Sequence, residues 1–180
     1  FSREDQDAYA IESLRRANQA IDSGWFTDEI AAVTISSRRG DTIVDTDEQP
    51  GNARPEKIPQ LKPAFEKDGT VTAANASSIS DGAAALVLMK QSRAQALGLK
   101  PLARIVAHAS HARHPSEFTM APVGAMDKVL AAANWSIDEV DLFEINEAFA
   151  MVTLLAIQEL NLDPAKVNVN GGACALGHPL

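Results

Sequence analysis

Cysteine is almost missing from this sequence: Cys174 stands alone among 180 residues. An internal disulfide and a cysteine-built zinc site are therefore excluded, and a lone thiol fits a reducing, cytoplasmic setting. Positive charge is also short. Lys and Arg number 16 against 24 Asp and Glu, a net charge of −8. That leaves no basic stripe for a nucleic-acid backbone and no polybasic patch for a membrane surface. No apolar run approaches the roughly 18 residues of a membrane-crossing helix. What remains, 46% hydrophobic and 22% charged, is globular composition, which excludes a disordered tail and a collagen-like fibre. At roughly 100–200 residues per domain, the length allows one domain or two small ones. Phe1 stands where Met would, and Leu180 follows directly on a glycine-rich stretch, so the chain reads as a piece of a longer protein.

The pattern along the chain predicts alternating helices and strands. Ser2 with Asp5 is an acidic capping box, and Ala10, Leu14, Ala17 and Ile21 then mark one helical face, ended by Gly24. Ala31, Val33 and Ile35 alternate as a half-buried strand. Arg39-Gly40-Asp41 turns the chain and Ile43-Val44 returns it, a hairpin. Residues 45–70, with Pro50, Pro55, Pro59 and Pro63, predict a surface excursion suited to binding. Ala83–Met89 is a short apolar run expected as a strand buried on both faces. Gln91–Leu97 predicts a helix stopped at Gly98, and Leu99-Lys100-Pro101 is the best joint. Beyond it come a strand at Ala103–Ala107, a helix at Val123–Ala133 and a second capping box at Ser136 and Glu139. A strand at Val140–Ile145, a buried helix at Ala148–Leu160 and a short alternating strand at Val167–Val169 follow. Strands separated by helices predict an α/β fold with parallel pairing.

Three stretches hold more polar or glycine residues than packing requires. Asn146-Glu147 follows a strand and opens a helix. Strand ends are where α/β folds place sites, yet Asn146 would equally serve as a helix cap, with Glu147 in the first turn. Gly171-Gly172-Ala173-Cys174-Ala175-Leu176-Gly177-His178 would let a backbone approach a ligand and expose an imidazole for proton transfer. A tight turn beside a surface histidine accounts for the same letters. Ala73–Ser78, all small, could pass under a ligand or simply pack closely. His108, His111 and His114 leave a strand without sharing a face, and no cysteine or carboxylate cluster completes a metal site. Cys174, flanked by alanines, reads as a small buried filler.

Together these residues resemble the thiolase family. Asn146-Glu147-Ala148-Phe149-Ala150 after Asp141–Ile145, and Gly171-Gly172-Ala173 running to Gly177-His178-Pro179, are similar to its two C-terminal signatures. The resemblance continues in Ser2–Asp7, in Leu61–Phe65, in Gly69–Ala73, in Asn75-Ala76-Ser77 and in Asp81–Ala85, and so covers essentially the whole chain. Phe118 stands near a methionine usual in the family.

The resemblance implies a partial thiolase fold: residues 1–79 as most of a loop domain holding coenzyme A, 80–99 as a returning strand and helix of the N-terminal half, and 100–180 as the start of the C-terminal half. It implies an acyltransferase running a reversible Claisen condensation of two acetyl-CoA to acetoacetyl-CoA and CoA through an acyl-cysteine. The alternatives are a 3-ketoacyl-CoA thiolase of fatty-acid breakdown or a non-catalytic CoA-binding relative. By motif, His178 would activate the acyl-carrying thiol and help bind the thioester oxygen, with Asn146 holding a water in the same oxyanion hole. Ser77, Ala73, Ala64 and Phe65 would line coenzyme A, and Phe149 the acyl end. Coenzyme A thioesters are then substrates rather than permanently bound cofactors, no metal is required, and the expected partner is a second copy, as dimer or tetramer. The two catalytic cysteines of the family would fall before Phe1 and after Leu180. Cys174 takes neither role, and the isolated piece is expected to be inactive.

Overall fold

A computed structural model describes residues 1–179. Leu180, which closes the third predicted unit, lies outside them. The long helix α1 (Arg3–Asp22) organises the first half. Ser2 caps it as the sequence predicts: the Asp5 amide donates to Ser2 Oγ at 3.1 Å and the Ser2 amide donates to Asp5 Oδ2 at 2.9 Å. Such a cap contributes about 1 kcal/mol, and the Ser2 amide holds the Asp5 carboxyl below its usual range. Ala10, Leu14 and Ala17 are buried as their spacing predicts. The same helix also buries Gln6, Asp7 and Ser13, because each finds a partner. Asp7 pairs with Arg3 at 2.6 Å and accepts from Asn75 Nδ2 at 2.9 Å, while Gln6 Nε2 donates to Thr70 Oγ1 at 2.9 Å.

The hairpin forms where expected, β1 (Val33–Ser37) antiparallel to β2 (Gly40–Val44) with Ser37 opposite Gly40. It is exposed on both faces rather than half-buried, since nothing among the described residues covers it. The proline-rich excursion is partly helical: α2 (Glu48–Asn52) buries Pro50, and a 3-10 turn at Pro55–Gln60 buries Ile58 against Leu14, Ala17 and Ala175.

Several predicted strands do not form. Ala83–Met89 is extended chain without a ladder, and Leu86 and Val87 are 85% and 86% exposed. A strand buried on both faces needs a partner on each edge and a layer on each side, and none is present among the described residues. Ala103–Ala107 is likewise unpaired. Val140–Ile145 keeps one parallel bridge, Phe143 with Val167, in which the Phe143 amide donates to Lys166 O and the Asn168 amide to Phe143 O. The alternation at Val167–Val169 also fails. Asn168, at φ 46°, turns inward and is buried like Val167.

The helices of the second half follow their pattern. α3 (Gln91–Ala96) is followed by Gly98 at φ +66°. α4 (Ala121–Ala133) leads through the Ser136–Glu139 box to α5 (Ala150–Glu159). The core of this half joins Val152 and Ala156 of α5 to Phe143, Ile145, Leu162 and Val167, with Val123 and Met126 of α4 packed against it. α6 (Ala173–Leu176) closes the described chain against α1. Arg16 of α1 adds a tie, donating to Val167 O at 2.5 Å and Pro164 O at 3.2 Å. It also pairs with Glu12, whose carboxyl is held at about 2 by hydrogen bonds from Arg15 and then Arg16.

Gly171 is where α1 meets the turn before α6. Its φ is +79°, and a Cβ there would sit 2.6 Å from Ser13 O and 2.8 Å from the Ala17 Cβ. Gly171→Ala is expected to destabilise the fold by about 3 kcal/mol, combining left-handed strain with overpacking. A denaturant midpoint matching wild type would show that α1 and the turn are less closely docked.

Candidate functional site

The site assembles at the C-terminal end of the segment 140–145, where three stretches converge. Residues 146–149 are pinned from one side by 75–78. The Ala150 amide donates to Asn75 O at 2.8 Å, Ala76 bridges Phe149, and Ser77 donates to Ala148 O through its amide at 3.0 Å and its Oγ at 3.1 Å. The small side chains of Ala73–Ser78 permit that close approach. The other face of 75–79 meets the end of the chain: the His178 amide donates to Ser78 O at 2.9 Å, and Ile79 bridges His178 in parallel. Gln49 of α2 donates to the hydroxyls of Ser78 and Ser80. Gly177, at φ +94°, is needed there, because a Cβ would collide with Ser80 Oγ.

This convergence brings Asn146 and His178, 32 positions apart, into contact: the Asn146 amide nitrogen lies 3.1 Å from His178 Nε2. With the amide nitrogen toward the ring, the amide donates and Nε2 accepts. The one lone pair of Nε2 is engaged by the amide, so the two side chains form a single polar pair at the opening, and Nε2 becomes a proton acceptor when that contact opens. Asn146 is not the helix cap that position alone allowed. Helix α5 starts at Ala150, its cap is Phe149, and the Asn146 side chain is free for other work.

Phe149 stacks edge-on against Phe118, ring centres 6.0 Å apart and planes at 61°. Ser77 sits beside the pair through Ala148. Ala64, Phe65 and Ala73 are on a neighbouring exposed stretch, tied by the Ala64 amide donating to Val71 O at 2.8 Å, and none of the three hydrogen-bonds to Asn146 or His178. Phe65 stands 76% exposed, an aromatic face open to a ligand.

Glu147 is the residue that sequence reasoning misplaced. It precedes the helix and is fully buried, at 0% exposure. Its Oε1 accepts from the Tyr9 hydroxyl at 2.8 Å and Asn168 Nδ2 at 2.9 Å, and its Oε2 from the Ser13 hydroxyl at 2.7 Å and the Cys174 amide at 3.0 Å. The signal available beforehand was a polar pair, Tyr9 and Ser13, one helical turn apart on the buried face of α1. Burial and the nearby Glu147 push the Tyr9 phenol above its usual range. Burial first, then Glu147, raises Glu144 in the same way. Cys174 is raised too, by burial and then Glu147, so its thiol stays protonated and unreactive. That suits a filler. His111 packs on Gly124, and His114 Nδ1 sits 2.8 Å from Ser116 Oγ. Among the described residues no cluster of three or more potential ligands could hold a metal.

Comparison with known proteins gives a consistent result. The family "Thiolase, N-terminal domain" matches residues 1–92 and "Thiolase, C-terminal domain" residues 99–180. An acetyl-CoA acetyltransferase of Yarrowia lipolytica is 50% identical over 180 residues, covering 100% of this chain and 45% of that protein. Among solved structures, the Bacillus anthracis acetyl-CoA acetyltransferase superposes with a TM-score of 0.95 at 47% identity, over 99% of this chain and 46% of its own. The Acat5 thiolase of Ascaris suum, solved with coenzyme A, gives 0.92 at 46% identity, over 100% of this chain and 46% of its own. The chain thus spans just under half the length of the relatives it matches, and its fold is the corresponding part of theirs.

Asn168 and Asn146 separate support from exposure in a way that can be measured. Asn168 accepts from the Ile145 amide and donates to Ile145 O, both at 2.7 Å, as well as to Glu147. Asn168→Ala strands three buried partners and is expected to cost about 3 kcal/mol in a urea unfolding curve. Asn146→Ala, at an exposed position, should stay within about 0.5 kcal/mol of wild type.

Proposed function

The chain belongs to the thiolase family, and from that premise we propose that the whole protein is an acetyl-CoA acetyltransferase. It interconverts two acetyl-CoA with acetoacetyl-CoA and free CoA. The observation that carries this reading is the 3.1 Å contact between Asn146 and His178, which pairs a base with an amide donor. In this mechanism the Asn146 amide releases His178 Nε2, which then takes the proton of a cysteine outside residues 1–180 as that cysteine attacks the thioester carbonyl. The C–S bond to CoA breaks, and CoA leaves as the protonated thiol. A second acetyl-CoA gives an α-proton to the family's second catalytic cysteine, as its thiolate, also outside residues 1–180. The enolate carbon attacks the acyl-cysteine, forming the new C–C bond, and the released cysteine thiolate takes that proton back. Negative charge develops on a thioester oxygen in these steps. Donors fixed in advance stabilise it by about 2.7–4 kcal/mol each: the His178 imidazolium while it holds the cysteine proton, and a water held by Asn146.

The remaining assignments belong to the same reading. Ser77, Ala73, Ala64 and Phe65 contact coenzyme A, with the open ring of Phe65 as a stacking surface and Phe149 at the acyl end. Phe118 sets a second ring edge-on against Phe149, and in this reading acetoacetyl-CoA is preferred over the longer 3-ketoacyl-CoA of fatty-acid breakdown. Residues 1–79 form most of the loop domain, 80–99 return to the N-terminal half and 100–180 begin the C-terminal half. The enzyme takes coenzyme A thioesters as substrates without a resident cofactor, works as a dimer or tetramer and resides in the cytoplasm. Among the described residues no helix is long and apolar enough to cross a membrane.

Acetoacetyl-CoA thiolysis by the full-length protein tests this. His178→Ala and Asn146→Ala should each lower kcat by roughly 100–1,000-fold, and a purified chain of residues 1–180 should show no turnover. Activity indifferent to His178→Ala would sink the assignment. A preference for long 3-ketoacyl-CoA would move the protein to the fatty-acid branch.

A further inference from the structure

The two residues assigned to chemistry, Asn146 and His178, sit on different segments and touch only through their side chains. Something must fix both segments to a common frame. Residues 75–79 bridge the two segments through backbone on one side, and the Glu147 side chain joins them on the other. Its backbone carries Asn146 as its neighbour in sequence. Its Oε2 accepts from the Cys174 amide, four residues before His178, and from Ser13 Oγ, which in turn accepts from the Gly172 amide at 3.0 Å. Its Oε1 is anchored by Tyr9 of α1 and by Asn168. One carboxylate therefore joins the Asn146 segment, the Gly172–Leu176 turn leading to His178, and helix α1.

The donors also decide which side chain can do this. Two of the four are hydroxyls, from Tyr9 and Ser13, and a hydroxyl can rotate to accept. The other two cannot. The Cys174 amide is backbone, and the Asn168 side chain is fixed in orientation, with Oδ1 on the Ile145 amide and Nδ2 on Ile145 O at 2.7 Å. One fixed donor faces each carboxylate oxygen. A glutamine of the same shape would turn its NH2 onto one of them, whichever way it flipped. Nor is there room to retreat, because a Cβ at Gly172 would lie only 2.5 Å from Glu147 Cδ.

We propose that Glu147 is a positioning residue: its buried, four-donor carboxylate locks the Asn146 segment to the turn carrying His178, and so sets the pair that faces the thioester oxygen. Glu147 touches no substrate itself. The catalytic part of this claim rests on the thiolase chemistry proposed above; the positional part does not.

The test uses the full-length protein in wild-type, Glu147→Gln and Ser13→Ala forms. Each is compared by melting temperature, by kcat and KM in acetoacetyl-CoA thiolysis, and by crystal structure. Glu147→Gln is expected to lower kcat roughly 10–100-fold, as misplacement of reacting groups does, while KM for CoA changes little. In its structure the Asn146–His178 contact of 3.1 Å should open beyond hydrogen-bonding range. Ser13→Ala, which removes one donor and loosens Gly172, should show the same effects more weakly, and it decides the matter if Glu147→Gln does not fold. A folded variant that keeps the contact and wild-type kcat, or that loses only melting temperature, would overturn the proposal. If wild-type turnover is indifferent to His178→Ala, the thiolase chemistry is what fails, and the crystallographic distance still decides the positioning role.

Discussion

A charged carboxylate with no solvent exposure is a severe constraint, and the region around Glu147 is arranged to satisfy it. Leaving water costs a carboxylate several kcal/mol even after relaxation. Among the described residues no cation pairs with Glu147 to offset that cost; four neutral donors do so, from Tyr9, Ser13, Asn168 and the Cys174 amide. These come from helix α1, the bridge beside Val167 and the start of helix α6, the first of them far from the others in the chain. Their meeting point is therefore also the point where the fold of this half is set.

Close approach does the rest. Gly171 lets α1 touch the turn, Gly172 makes room for the carboxylate, and Gly177 clears Ser80. The run Ala73–Ser78 is small enough to lie between residues 148–149 and His178, hydrogen-bonding to both sides through Ser77 and Ser78. The outcome is a short contact between exposed Asn146 and half-buried His178, backed by the buried carboxylate of Glu147. Precision at the opening comes from the buried polar interior behind it.

Much of the helical structure was legible in the sequence, because capping boxes and apolar spacing are local signals. Ser2–Asp5, Ser136–Glu139, the face of α1 and the stops at Gly24 and Gly98 all follow from chemistry within a turn or two. Of the strands, only the local hairpin of β1 and β2 and the single Phe143–Val167 bridge follow. Ala83–Met89 and Ala103–Ala107 carry strand composition, but pairing is supplied by neighbours, and those neighbours are absent from the described residues. The site was half legible. Asn146 and His178 stood out as polar groups among small residues, and resemblance gave them roles. Position alone, however, left Asn146 between cap and catalyst, and the start of α5 at Ala150 removes the cap. Glu147 and Asn168 were misread because their importance is three-dimensional. A carboxylate near a helix start and an asparagine between two valines look solvated until the donors from α1 are seen closing on them.

The central claim is that Asn146 and His178 act as one unit on one oxygen. A double-mutant cycle on the full-length protein tests it most directly: kcat/KM for acetoacetyl-CoA thiolysis with Asn146→Ala, His178→Ala and both. If the pair works as a unit, the double variant loses far less than the product of the two single losses. Losses that simply multiply would mean two independent residues, and would contradict the account.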